Sequence, residues 1–305
     1  MCDEHSFDDM QRAAEINRRR FGALGVGAGL AAVLPACGSN SGGSTGPDAS
    51  AAPPVASTNE IVESEVSIQT PDGVCDAHFA YPASGATAAV LVWPDIFGLR
   101  DAFRQMGKRL AESGYAVLTV NPFYRIQKAP TSAPNANFSD PATRESLTKM
   151  MGSLTATTQV ADAKAFVAWL DAQPQVNTSR GIGTTGYCMG GPIVFRTMGT
   201  NPERVRAGGS FHGAGLTTDQ PDSPHLQIAN MRGSLLVAIA QNDDERDPKS
   251  KDILRETFAG SQVTSEVEVY PAQHGWCAID SQVYDQAQAE KAWGRMLEFF
   301  GKELA

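Results

Sequence analysis

Gly181-Ile182-Gly183-Thr184-Thr185-Gly186-Tyr187-Cys188-Met189-Gly190-Gly191 decides the fold of this chain. A short run with an Ile-Thr-Thr pattern ends in Gly-x-Cys-x-Gly-Gly, which reads as a strand breaking into a helix through a corner that only glycine can tighten. A side chain at the apex projects away from the backbone. The helix that follows aims its first amides and the positive end of its dipole at charge developing there. This is a nucleophile elbow with cysteine in place of the commoner serine, and a thiolate so placed suits acyl transfer. The pattern is short, however, and a Cys before a helix also serves as a small buried apolar side chain. Its meaning depends on a base, an orienting acid and oxyanion donors elsewhere.

On both sides of this turn the chain alternates strands and helices. Ala88 to Trp93, Tyr115 to Val120 and Leu235 to Ala240 are continuous apolar runs of strand length, as expected for strands covered on both faces, and Val263 to Tyr270 is a further strand. Phe103, Met106 and Leu110 fall at helical spacing between Asp101, a candidate cap, and Gly114. Val160, Ala163, Val167 and Leu170 mark a second helix, and Ala289, Trp293, Met296 and Phe300 a closing one. Earlier, Val62 to Ile68, the Pro71-Asp72-Gly73 turn and Val74 to Ala80 make a hairpin. Residues 127–141 are rich in Pro, Asn, Ser and Ala and read as a long loop over the sheet, a candidate lid. The pattern predicts one α/β domain over residues 61–305: a doubly wound, mostly parallel sheet with an N-terminal antiparallel hairpin.

Residues 1–37 have a different character. Arg18-Arg19-Arg20-Phe21 precedes a Gly/Ala-rich, weakly apolar stretch, which resembles a twin-arginine export signal, too short and glycine-rich to span a membrane as a stable helix. Leu34-Pro35-Ala36-Cys37 then resembles a lipobox, in which Cys37 would carry lipid and anchor the exported protein to a bacterial membrane. Residues 38–60 read as a flexible tether. The formal net charge of -9 argues against nucleic acid as a partner. Of the five cysteines, Cys75 and Cys277 are left once the leader and the elbow are assigned, either as a disulfide in an oxidising compartment or as two separate buried thiols. The Cys, His and acidic residues have no closed metal-site spacing, so no metal is expected, and acyl transfer through a thiolate needs no other cofactor. A monomer is expected.

In doubly wound sheets the reactive groups gather beyond the C-terminal ends of the strands. Those positions hold Pro94-Asp95-Ile96-Phe97-Gly98, Asn121-Pro122-Phe123-Tyr124-Arg125, Cys188, Asn242-Asp243-Asp244 and His274-Gly275-Trp276. Nucleophile, acid and histidine therefore follow one another at successive strand ends, the chain order of an α/β-hydrolase. His274 is the candidate base, and Asp243 is preferred to Asp244 as the acid orienting it. His78, His212 and His225 read as structural.

These segments together resemble the dienelactone hydrolase family of α/β-hydrolases, in order and context from Val90 to Trp276. The resemblance implies an α/β-hydrolase fold and a catalytic triad of Cys188, Asp243 and His274. It implies oxyanion donors in the backbone amides of Ile96 and Met189, and thiol activation by Asp95, where the family usually has the longer Glu. Cleavage of a small-molecule ester or lactone through a thioester is expected, with Tyr124, Arg125 and Trp276 as substrate-binding candidates. The alternative is a tethered lipoprotein that uses the same fold to bind a ligand or partner without turnover. A carboxylate-bearing substrate would need a cation in the pocket, for which Arg125 and Arg100 are candidates.

Overall fold

A computed structural model describes residues 60–305; the leader, Cys37 and the linker up to residue 59 lie outside them. Eight strands form one sheet in the order β1-β2-β4-β3-β5-β6-β7-β8. β1 (Ile61–Thr70) and β2 (Gly73–Pro82) make the expected hairpin, and β2 runs antiparallel to both β1 and β4 (Ala116–Val120). The remaining strands, β3 (Ala89–Trp93), β5 (Ile182–Tyr187), β6 (Val205–Phe211), β7 (Ser234–Ala240) and β8 (Thr264–Tyr270), lie parallel to their neighbours and to β4. The doubly wound, mostly parallel sheet is thus the one the alternating pattern predicts. The apolar runs β3, β4 and β7 are buried at every residue, as strands covered on both faces must be, and so is β5 with its glycines and threonines.

Helices cover the two faces. α1 (Asp101–Glu112) and α7 (Gln286–Glu303) bury Phe103, Met106, Leu110, Trp293, Met296 and Phe300 on one side. On the other lie α2 (Pro141–Met151), α3 (Ala156–Asp171), α4 (Gly190–Thr200) and α6 (Ser250–Ala259), with α5 (Gln241–Arg246) leading from β7. Burying one large side chain such as Phe103 or Phe166 contributes roughly 1.5–3 kcal/mol, so the two apolar layers account for the choice of faces.

Three local expectations change. Asp101 does not cap α1; Arg100 occupies the N-cap position in extended conformation, and Asp101 stands in the first turn. α2 follows the expected loop directly, with Asp140 as its cap accepting from the Thr143 amide. β6 has no counterpart in the apolar pattern because Gly208 and Gly209 occupy its centre. Packing requires them: a Cβ on Gly208 would lie 2.5 Å from Met198 Sδ, and one on Gly209 would lie 2.8 Å from the Phe211 ring.

Candidate active site

The elbow takes the shape its glycines predict. Cys188 has φ of 53°, a left-handed conformation that a non-glycine residue holds only under constraint. Its amide donates to Phe211 O at 3.0 Å and its carbonyl accepts from the Gly191 amide at 3.0 Å, which fixes both sides of the corner. A Cβ on Gly186 would lie 2.2 Å from Gly190 O, and one on Gly190 would lie 2.4 Å from Trp93 O. Glycine is therefore obligatory at both positions. The helix that follows, α4, starts immediately after Met189.

Beyond the C-terminal ends of β3, β5, β6 and β8 opens a cleft of about 1080 Å³, and Asp95, Ile96, Cys188, His212 and His274 all line it. The loop 129–139 forms one wall, anchored where Thr131 and Ser132 donate to Phe97 O at 3.1 and 3.2 Å. His274 is fully buried. Its Nδ1 lies 2.6 Å from Asp243 Oδ2, and its backbone amide donates to Asn242 Oδ1 at 2.8 Å. Two neighbouring residues of α5 thus hold the histidine, one at its ring and one at its main chain. Asp244 points elsewhere, to Lys251 Nζ at 2.6 and 2.7 Å, which favours Asp243 as the partner of His274.

Asp95 is 7% exposed, and both its oxygens are engaged. Oδ1 accepts from the Phe97 amide at 2.9 Å and from Arg100 Nη1 at 2.7 Å, while Oδ2 accepts from Arg100 Nη2 at 2.9 Å. The carboxylate expected to act on the thiol therefore closes the turn that carries Ile96 and grips a guanidinium. Arg100 in turn bonds Asp280 at 2.7 and 2.8 Å.

Tyr124, Arg125 and Trp276 do not line this cleft. Arg125 donates to both oxygens of Asp162, at 2.7 Å each, and to Asp72 at 3.0 and 2.6 Å. Tyr124 donates to Asp162 at 2.7 Å and lies 2.7 Å from Thr70 Oγ1, so the two residues tie the end of β1 and the turn that follows it to α3 rather than face substrate. Trp276 is fully buried, stacked on Tyr270 and edge-on to His212.

His212 is the residue that sequence reasoning assigns to structure and the fold puts in the cleft beside His274. It is 1% exposed, stands at φ of 39°, and its ring centroid is 5.0 Å from that of His274. Burial, reinforced by His274, pushes its pKa well below the ordinary histidine value and keeps it neutral. The signal was the dipeptide Phe211-His212 at the end of β6, hidden because the strand's glycines break its apolar run.

None of Cys75, Cys188 and Cys277 forms a disulfide, so Cys75 and Cys277 are two separate buried thiols. Burial raises the pKa of both far out of the reactive range. Cys75 donates instead to Asp76 O and Asn121 O.

The dienelactone hydrolase family matches residues 75–304. The carboxymethylenebutenolidase of Rhodococcus opacus is 26% identical over 225 residues, 72% of this chain and 83% of that protein. Among solved structures, a dienelactone hydrolase-like promiscuous phosphotriesterase from metagenomic libraries superposes with a TM-score of 0.65 at 21% identity, over 80% of this chain and 99% of that one. The dienelactone hydrolase of Anabaena variabilis superposes with a TM-score of 0.56 at 16% identity, over 80% and 99%. These structural likenesses carry the α/β-hydrolase fold. The match from β2 to the end of α7 makes the chain a member of the dienelactone hydrolase family, and a hydrolase.

Proposed function

We propose that the protein hydrolyses a small-molecule ester or lactone by acyl transfer to Cys188, with His274 as general acid–base and Asp243 orienting it. The observation that carries this reading is the 2.6 Å contact of His274 Nδ1 with Asp243 Oδ2, made by a buried histidine that lines the same cleft as Cys188. His274 takes the thiol proton as sulfur attacks the carbonyl carbon, and returns it to the leaving oxygen when the C–O bond breaks. It then deprotonates a water that cleaves the thioester, which restores the thiol and releases the acid. A lactone opens by the same steps, its leaving oxygen remaining attached to the product.

The oxyanion is held by the amides of Met189, at the start of α4, and of Ile96, in the turn that Asp95 closes. Loss of one such donor typically raises the barrier by about 3 kcal/mol. In this reading Asp95 serves the reaction through that turn, since Arg100 and the Phe97 amide occupy its oxygens. Rapid quench of the full-length protein with an activated ester, followed by mass spectrometry, should find the acyl group on Cys188. Turnover undiminished in Cys188→Ala would refute the assignment.

The Arg18–Arg20 run and the Leu34 to Cys37 box support export and attachment to a membrane through lipid on Cys37. Membrane fractionation of the wild type and of Cys37→Ser tests this: the variant should move to the soluble exported fraction.

A further inference from the structure

We infer that the cleft accepts uncharged esters or lactones and discriminates against substrates that carry a carboxylate. The inference rests on the hydrolase reading above and sharpens its substrate class. Only two cations line the cleft among the described residues, Arg100 and Arg104, against four carboxylates, Glu65, Asp95, Asp101 and Asp280. Arg100 has no donor left for an incoming anion, and Arg104 is already neutralised by Glu65.

Arg100 is saturated. A guanidinium has five N–H donors. Nε donates to Asp280 Oδ2 at 2.7 Å, and Nη1 donates to Asp95 Oδ1 at 2.7 Å and Gly98 O at 3.3 Å. Nη2 donates to Asp95 Oδ2 at 2.9 Å and Asp280 Oδ1 at 2.8 Å, which uses the last two. The plane of the group is covered as well, by the Phe97 and Phe103 rings at 5.4 and 4.9 Å. Arg104 forks onto Glu65 at 2.7 and 3.3 Å and lies 3.7 Å from Asp101. Arg125, the other candidate for recognising an anion, is bound to Asp72 and Asp162 outside the cleft.

A substrate carboxylate would therefore enter a cleft whose fixed charges sum to a negative value. To reach Arg100 it would have to displace Asp95, which is almost fully buried and would be left charged and desolvated, or Asp280. The remaining wall suits an uncharged substrate: Ile96, Phe97, Pro134, Phe138 and Val283 are apolar, and the Asn and Ser side chains of the loop 129–139 are neutral.

The test compares mono-p-nitrophenyl adipate with its methyl ester, which differ in one terminal charge and share a leaving group. After division by their rates of uncatalysed hydrolysis, kcat/KM should favour the methyl ester by about tenfold or more at low salt, and the preference should shrink as ionic strength rises. In Asp280→Asn, which takes one negative charge and one acceptor oxygen away from Arg100, the ratio should move toward the acid. A second measurement needs no turnover: the rate of Cys188 alkylation by iodoacetate relative to iodoacetamide should be about tenfold lower than the same ratio for glutathione. Equal or faster hydrolysis of the acid overturns the inference and leaves the hydrolase reading intact. Failure of both esters overturns the hydrolase reading, and the alkylation ratio still decides the inference, a glutathione-like ratio overturning it.

Discussion

Asp243 and His274, 31 residues apart in the chain, meet through Oδ2 and Nδ1 at 2.6 Å, while the adjacent Asp244 is bound to Lys251. Asp243→Asn keeps the shape of α5 but offers an amide in place of a full negative charge, so the imidazolium formed in the transition state loses its counter-charge. Turnover of an activated ester should fall by about 100-fold or more. Asp244→Asn breaks only a pairing with Lys251 and should stay within about threefold of wild type. Equal losses in the two variants would show that the acid has been misassigned.

Asp95 acts through geometry if Arg100 and the Phe97 amide hold its oxygens during the reaction. Asp95→Asn retains an oxygen for the Phe97 amide, whereas Asp95→Ala removes the acceptor and loosens the turn beneath Ile96. Steady-state kinetics should show Asn keeping at least about a tenth of wild-type kcat and Ala losing about another factor of ten, since a displaced oxyanion donor is typically worth about 3 kcal/mol. If Asp95 instead accepts the thiol proton, Asn and Ala will be equally inactive.

The strain at Cys188 can be measured apart from its chemistry. A non-glycine residue at φ of 53° costs about 1–2 kcal/mol relative to glycine, a cost the packed elbow enforces. Cys188→Gly and Cys188→Ala should both abolish turnover, but in urea unfolding the glycine variant should be the more stable of the two by about 1 kcal/mol. The opposite order would mean that the left-handed conformation carries no strain here.

The parts of the fold legible in the sequence are those where one physical requirement dominates. Strands covered on both faces must be apolar, so β3, β4 and β7 stand out as runs, and a corner as tight as Gly186 to Gly190 admits little but glycine. β6 was hidden because close approach of α4 removes the side chains at its centre: Gly208 leaves room for Met198, and the two glycines interrupt the apolar run between Val205 and Phe211. His212 was hidden with it. The triad candidates could be placed because each follows a recognisable strand, but the fate of Arg125 and Arg100 could not. Whether a guanidinium faces substrate or is saturated by carboxylates such as Asp162 and Asp280 depends on contacts between segments far apart in the chain.

His212 also gives the protein a pH dependence that can be isolated. Its ring is buried against His274, Tyr187 and Trp276, and its pKa lies well below the ordinary 6.5 because burial disfavours the charged form. The native state therefore keeps His212 unprotonated while the unfolded chain binds a proton below pH 6.5, so stability is lost as pH falls through that value. Between pH 7 and 5.5 this amounts to about 1 kcal/mol. His78, whose pKa burial also lowers, adds in the same direction, whereas Glu63 and Glu290, lowered chiefly by hydrogen bonds to Lys108 and Arg109, act below this window. Asn tolerates φ of 39° and does not titrate, so His212→Asn should lose about 1 kcal/mol less than wild type over the same interval in urea unfolding. Parallel pH profiles for the two proteins would mean that His212 is protonated in the native state as readily as in the unfolded chain.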